Sequence, residues 1–450
     1  MKRYYFLSLF LGYSLSAFAN PFSRVDFNVF EKKPYLSESF ISSNLYQLDE
    51  KTLTKAVRIY RTYPKYNENL ALFAEGRAAF LQGDFYSAIT IYRNILSHNP
   101  LLHPVRIELA IALFQQKRYN SSKNEFEMLK NYDLPQYSFL LIDEYLKIIK
   151  EKEGWNIDFS VNYIRDKNIN NVSSNEDVAL SSRATLKKSG GLLPQNGKGF
   201  SYYVGLSKTN NIINSHYILF DQQLWGKHYW NNHQYDDISS RTYMGYAYKT
   251  AKNTFQIKPF YEKRWYANES YGWIHGINIE ESFELNPHWR LSTSFEWAKA
   301  YYFDDSSLNG HNWQILSTLV WQPTRKQYFY LGGGKSTEHT QVKQYGSDSK
   351  IIRLGWGKMW FAGISTQVRF SAIKREYKDI AALGNLSLFS FNKKRKDLIY
   401  SLNMSIWKQD WSWMEIAPKI QFSWRKQDSN IPQMYFYQDK SINLLFEKIF

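Results

Sequence analysis

Few residues in this chain are spaced for chemistry. The strongest grouping is His233-Gln234-Tyr235-Asp236-Asp237, in which an imidazole and two carboxylates would make half of a metal site or an acid–base pair. It stands in a polar stretch with no nucleophile motif beside it. Gly332-Gly333-Gly334-Lys335 lacks phosphate-loop spacing and is expected to end a strand, where its glycines relieve crowding. His98 and His103 flank Pro100 and read as turn residues. No H-E-x-x-H or G-x-S-x-G occurs. The absence of cysteine removes disulfides, thiolate ligands, cysteine nucleophiles and a lipid-modified N-terminal cysteine together. The expectation is no catalytic residue, no metal and no cofactor.

What must be explained instead is the composition. The 450 residues carry 57 Lys+Arg against 41 Asp+Glu, a net charge of +16, with 18% aromatic residues. An apolar content of 44% against 22% charged excludes a wholly disordered chain. No apolar run of helix-spanning length follows the N-terminus, which excludes a helical membrane protein. A membrane β-barrel remains, because its strands hide half their residues from a hydropathy average. Lys2 and Arg3, the apolar stretch Tyr4 to Leu15, and Ala17-Phe18-Ala19 predict a secretory signal peptide over 1–19.

All 15 Trp lie at or after Trp155, and charge divides there too. Asn20 to Gly154 holds 18 basic and 16 acidic residues, whereas Trp155 to Phe450 holds 37 and 25. Two regions in different solvents are predicted, 20–154 and 155–450. In the first, Gly76, Ala88 and Tyr92 recur 34 residues on as Ala110, Ser122 and Phe126, and Gln82-Gly83-Asp84-Phe85 recurs as Gln116-Lys117-Arg118-Tyr119. That is the tetratricopeptide period, with small residues where helices cross and an aromatic filling the groove. Lys51 to Pro64 reads as a degenerate earlier repeat and Gln136 to Lys150 as a closing helix. Such a short array is a docking surface for a peptide or unfolded segment. Tyr92 and Phe126 hold the repeats together, leaving Arg77, Arg106 and Glu108 as exposed candidates for contact with a docked chain.

From Trp155 the period changes to two. Leu398, Tyr400, Leu402, Met404 and Ile406 alternate with Ser401, Asn403 and Ser405, and similar runs surround Ile257 and Ile420. Fourteen strands are predicted, starting near Asn156, Gly199, Ile212, Ser239, Thr254, Tyr271, Trp289, Asn312, Gln327, Lys350, Phe361, Asp397, Trp413 and Lys440. Val178 to Lys187 is assigned to a loop, since bacterial single-chain barrels use even strand numbers. Short connections such as Thr209-Asn211 and Gln409-Trp411 alternate with longer ones such as Arg165-Lys198 and Arg375-Lys396, the pattern of periplasmic turns and outer loops. The fold class is therefore α plus membrane β, a short helical array before a 14-stranded antiparallel outer-membrane barrel. Terminal Phe450 on the last strand resembles the signal read by outer-membrane insertion machinery.

If the apolar parity faces lipid, the other parity places Lys258, Arg264, Arg290, Arg353, Arg369, Lys419 and Arg425 in the lumen with Glu262, Glu296 and Glu415. These make either a mildly positive passage or a set of pairs across a filled lumen. Lys393-Lys394-Arg395-Lys396 is placed in an outer loop as a solvated charge run, with no nucleic-acid partner.

Beyond periodicity, the local wording resembles a known family. Pro104-Val105-Arg106-Ile107-Glu108-Leu109-Ala110 with Arg118-Tyr119, Asn168-Ile169-Asn170 after the first strand, and Asp428-Ser429-Asn430-Ile431-Pro432 before the last resemble the surface lipoprotein assembly modulator (Slam) family of Gram-negative bacteria. The resemblance implies a translocator that delivers a surface lipoprotein, or a secreted haem- or metal-scavenging protein, from periplasm to cell surface. It also implies an exported cargo protein, the insertion machinery and periplasmic chaperones as partners. The alternative is a polysaccharide-export porin with a periplasmic repeat domain, which a basic lumen would suit.

Overall fold

A computed structural model describes residues 25–181, 184–383, 390–413 and 415–448. The expected signal peptide and Phe450 lie outside these described residues. Two compact units part near Ile149.

The first unit is helical. Its elements are α1 (Phe27–Lys32), α2 (Leu36–Asn44), α3 (Glu50–Tyr60), α4 (Glu68–Leu81), α5 (Phe85–His98), α6 (His103–Gln115), α7 (Tyr119–Leu129) and α8 (Gln136–Lys152). Four of the starts are fixed by side chains: Asp26, Asp49, Asn67 and Asp84 accept from the backbone N–H of Asn28, Thr52, Leu70 and Ser87. The 34-residue repeat is α4–α5 followed by α6–α7. Both internal turns use a residue in the left-handed region at the same place, Gly83 with φ 77° and Lys117 with φ 61°. Both are closed by an aromatic pair, Phe80 with Phe85 at 5.2 Å and Phe114 with Tyr119 at 5.3 Å. Where helices cross, a Cβ on Gly76 would collide with the buried Tyr92 ring. In the next repeat Ser122 donates to the Ala110 carbonyl at 2.8 Å, and Phe126 stacks on Tyr145 of α8 at 5.1 Å. Expected and observed repeat contacts agree here.

The second unit is a closed antiparallel barrel of fourteen strands. They are β1 (Trp155–Asp166), β4 (Gly197–Ile213), β5 (His216–Tyr229), β6 (Asp237–Lys249), β7 (Asn253–Tyr266), β8 (Glu269–Asn286) and β9 (Trp289–Tyr302), then β10 (Gly310–Thr324), β11 (Gln327–Thr340), β12 (Ser347–Met359), β13 (Ile364–Ala382), β14 (Ser390–Lys408), β15 (Ile416–Ser429) and β16 (Tyr437–Lys448). Two short strands, β2 (Asp177–Ser181) and β3 (Ala184–Lys187), form a separate hairpin inside the first long connection, where Val178 to Lys187 was placed outside the barrel. Alternation sorts the faces. Trp297, Leu331, Ile352, Met404, Ile420 and Ile442 are exposed on the outer face, as a lipid-facing surface requires. Trp289, Trp321 and Phe329 stack at the short-turn end, at 5.7 and 5.3 Å between successive rings.

Several predicted boundaries are corrected. The expected turn Thr209-Asn211 lies inside β4, and the chain reverses at Asn214, whose φ is 50°. Asn211 looks like a turn residue but is the brace of the turn, donating to the carbonyls of Asn214 and His216 at 2.9 and 3.0 Å. The strands predicted from Phe361 and Trp413 start later, at Ile364 and Ile416. Phe361 belongs to a turn in which Ala362 and Gly363 have positive φ. On the long-loop side the strands run further than hydropathy indicated. Arg375 and Lys396 are strand residues, because ladder pairing continues where the side chains have become polar. The run Lys393-Lys394-Arg395-Lys396 is therefore not a loop. It lies on β14, with Arg395 bonded to Asp397 and placed 3.5 Å from the Tyr435 ring centroid.

Crowding at the first helix crossing has a measurable consequence. Gly76→Ala should destabilise the helical unit by roughly 1–3 kcal/mol through overpacking against Tyr92. Hydrogen exchange over α4 and α5 in the full chain reads this directly.

Candidate functional site: barrel lumen and helical groove

The lumen residues come from strands whose inward parity is set by the ladder. Arg241 of β6 lies opposite Glu262 of β7, and Asn278 of β8 opposite Glu296 of β9, so all four point to one face. Arg241 donates to Glu262 at 2.6 Å and to the Tyr243 hydroxyl at 2.9 Å, and reaches Glu296 at 3.4 Å. Its guanidinium also covers the Phe260 ring at 4.3 Å. Glu262 is buried, and only a paired charge is tolerated there.

Around this centre the named cations find partners. Lys258 meets Glu280 at 2.8 Å, Arg264 meets Asp237 through two bonds of 2.8 Å, Arg290 meets Glu284 at 2.9 Å, and Lys419 meets Glu447 at 2.6 Å. The expected excess of seven basic over three acidic residues is therefore reduced, since the partner carboxylates had not been counted. Glu415 is corrected outright. It sits in the turn before β15 with φ 67°, mostly exposed and 3.6 Å from Lys448, so it is not a lumen residue. Among the described residues, Arg353, Arg369 and Arg425 form no ion pair. Arg353 and Arg369 sit on adjacent β12 and β13, and Arg425 on β15 covers Tyr437 at 5.5 Å. One wall is thus ion-paired and buried, and another carries uncompensated arginines among Ser371, Ser401, Asn403 and Gln421.

Arg241 was missed by sequence reading. In β6 the inward Tyr243 and the outward Thr242 invert the polar-in pattern, so parity was unreadable there. The signal that would have found it is the paired strand, where Glu262 needs a cation.

In the helical unit the expectation of exposure fails for all three residues: Arg77 is largely covered and ion-paired, and the other two are buried. Arg106 and Glu108 are 9% and 4% exposed. Arg106 binds Glu125 at 2.8 Å and the Pro100 carbonyl at 2.9 Å, tying α6 to α7 and to the preceding turn. Glu108 pairs with Arg77 of α4 at 3.3 Å, linking the two repeats. Burial pushes the Glu108 carboxyl above the usual range, and Arg77 opposes that shift. Two positions apart on α6, the residues point to different sides, Arg106 toward α7 and Glu108 toward α4 of the preceding repeat, and both sides are covered by packed helices. Arg77 covers the exposed Tyr46 at 5.5 Å, so this pair forms the floor beneath accessible aromatic surface.

The His233 grouping gains a member from the preceding strand. His228 and His233 place their Nδ1 atoms 2.9 and 3.1 Å from one oxygen of the buried Asp236, whose other oxygen accepts from the Tyr229 N–H at 2.7 Å. Such a His–His–Asp set has the donors to hold a divalent cation. As it stands, it fastens the β5–β6 connection. Asp237 belongs instead to the Arg264 pair. The Gly332–Gly334 run lies within β11, not at its end, and a Cβ on Gly334 would strike the Ile315 carbonyl, so crowding accounts for that glycine.

A family model described as "Surface lipoprotein assembly modifier" matches residues 155–450, and one for the family's N-terminal TPR repeats matches residues 24–126. The chain belongs to this family. A surface lipoprotein assembly modifier of Pasteurella multocida is 31% identical over 397 residues, covering 85% of this chain and 76% of that protein. A "Hemophilin secretion modulator" of Acinetobacter baumannii is 22% identical over 419 residues, covering 87% and 81%. Among solved structures, the CymD monoaromatic hydrocarbon channel aligns with a TM-score of 0.37 at 7% identity, covering 71% of this chain and 94% of that one.

The buried pair beneath the groove is testable. Arg77→Ala leaves Glu108 buried without its cation and should cost the helical unit roughly 3–5 kcal/mol. Arg58→Ala on the exposed face of α3 should cost about 0.5 kcal/mol or less. Hydrogen exchange over α6 compares the two.

Proposed function

We propose that this chain is an outer-membrane translocator that carries a cargo protein, either a surface lipoprotein or a secreted haem- or metal-scavenging protein, from periplasm to cell surface. The observation that carries this reading is the union, in one chain, of a repeat unit and a fourteen-strand barrel, each matched by its own model of one family. The helical unit lies in the periplasm and the long connections outside. Cargo docks over the exposed aromatic residues Tyr46 and Tyr137, with Arg77, paired to Glu108, beneath Tyr46. Arg106 holds α6 against α7 and the preceding turn. The wall bearing Arg353, Arg369 and Arg425 gives a moving polypeptide polar, weakly binding positions, while the Arg241 network keeps the opposite wall rigid. Insertion machinery reading Phe450, with periplasmic chaperones, brings the barrel into the membrane. No step calls for a catalytic residue or cofactor.

Tethering a docking unit to the pore raises local cargo concentration to an effective value of order millimolar. Deleting residues 25–152 behind an intact signal peptide should leave the barrel inserted yet reduce surface display of its cargo at least about tenfold. Surface proteomics of that strain, set against a strain lacking the whole protein, measures it. Loss of a capsule-like polymer in the second strain, with surface proteins unchanged, would replace this reading with polysaccharide export.

A further inference from the structure

The barrel closes unevenly. β1 pairs with β4 through twelve residues, Trp155 to Asp166, and β16 pairs with β15 through twelve, Tyr437 to Lys448. Between β1 and β16 themselves, the described residues give three pairs: Ser160 with Glu447, Val161 with Phe446 and Asn162 with Leu445. Continued in register, Tyr163 to Asp166 would meet Leu444 to Ser441, but no ladder forms there. Side chains do part of the work of backbone. With its amide nitrogen assigned toward β16, Asn162 donates to the Leu444 carbonyl at 3.2 Å, and Lys448 donates to the Ile157 carbonyl at 2.9 Å.

This unpaired interval is bounded at both ends. Below it lie the three pairs. Above it, the connections that flank the seam are fastened together: Lys188 donates to the carbonyls of Ser173 and Gln433 at 2.6 and 3.1 Å, and Val178 packs against Met434 in a buried apolar cluster. On the outer face the interval presents Tyr163, Leu444 and Ile442, the last 75% exposed, with Arg165 at its upper end. On the lumen face it presents Ser441, Asn443 and Asp166 around Ile164.

Unsatisfied backbone facing hydrocarbon is unfavourable, so a gap of this kind persists only where something else uses it. Four positions on β1 are too few to hold an added strand securely. An interval with three apolar side chains outside and three polar ones inside suits a molecule with a polar chain in the lumen and a hydrocarbon anchor in the membrane. We propose that the β1–β16 interval is a lateral window through which the acyl chains of a lipid-anchored cargo pass from the lumen into the adjoining leaflet. This rests on the translocation reading and names the exit that reading requires.

The absence of native cysteine makes the test clean. The paired substitution Val161→Cys with Phe446→Cys bridges the closed part of the seam, whose three pairs must part for acyl chains to clear the window, and Phe159→Cys with Val204→Cys is the control between β1 and β4. Full-length protein is expressed in its own host, with the lipoprotein whose display is lost on deletion as reporter, in acylated form and with its lipid-attachment cysteine replaced. The oxidised seam lock should reduce display of the acylated form at least about tenfold, reversibly on reduction, and leave release of the unacylated form unchanged. The control disulfide should affect neither. If the first pair fails to insert, Tyr163→Cys with Leu444→Cys locks the window itself. Unchanged display of the acylated form with either lock formed overturns the window, as does equal loss of both forms. A deletion strain whose surface lipoproteins are all unchanged instead overturns the translocation reading, and the window with it.

Discussion

Backbone polar groups cannot be left unpaired in hydrocarbon, and the second unit is organised around that requirement. It explains why strands of differing side-chain character form one ring, and why ladder pairing continues into polar stretches beyond the apolar band. It also gives meaning to the β1–β16 seam, where the ring is joined by its two chain-distant strands and pairing is shortest.

The same ring decides the electrostatics of the lumen. Inward parity brings residues distant in sequence onto one face, so that Arg241 is held between acids from β7 and β9. A buried carboxylate persists because its partner comes from a neighbouring strand, and Arg353 and Arg369 are uncompensated because Gly332 and Gly355 lie opposite them on the adjoining strands. Rigidity on one wall and polar, weakly satisfied surface on another follow from strand order.

In the helical unit the governing contacts are local. Gly76 against Tyr92, and Ser122 against Ala110, set how closely successive helices approach. The Arg77–Glu108 pair then locks one repeat onto the next. The groove above that pair depends on charges that are largely withdrawn from solvent.

Composition and period alone determined the two-part organisation, the 34-residue repeat and the number of barrel strands. Those features rest on interactions that recur along the chain: small residues every 34 positions, and apolar residues every second one. They also indicated which parity faces lipid wherever the alternation is clean, as in β14 and β15. Tertiary structure alone decided which charges are paired, because each partner lies on a strand or helix that pattern cannot align. Arg106 and Glu108 show this in the helices, since a charged helix position looks the same whether it meets water or another helix. Glu415 shows it in the barrel, where a turn with positive φ removes a residue from the face its number suggested. The shortened seam was likewise invisible in the sequence, because strand period records which face a residue occupies and carries no information about how far two distant strands stay paired.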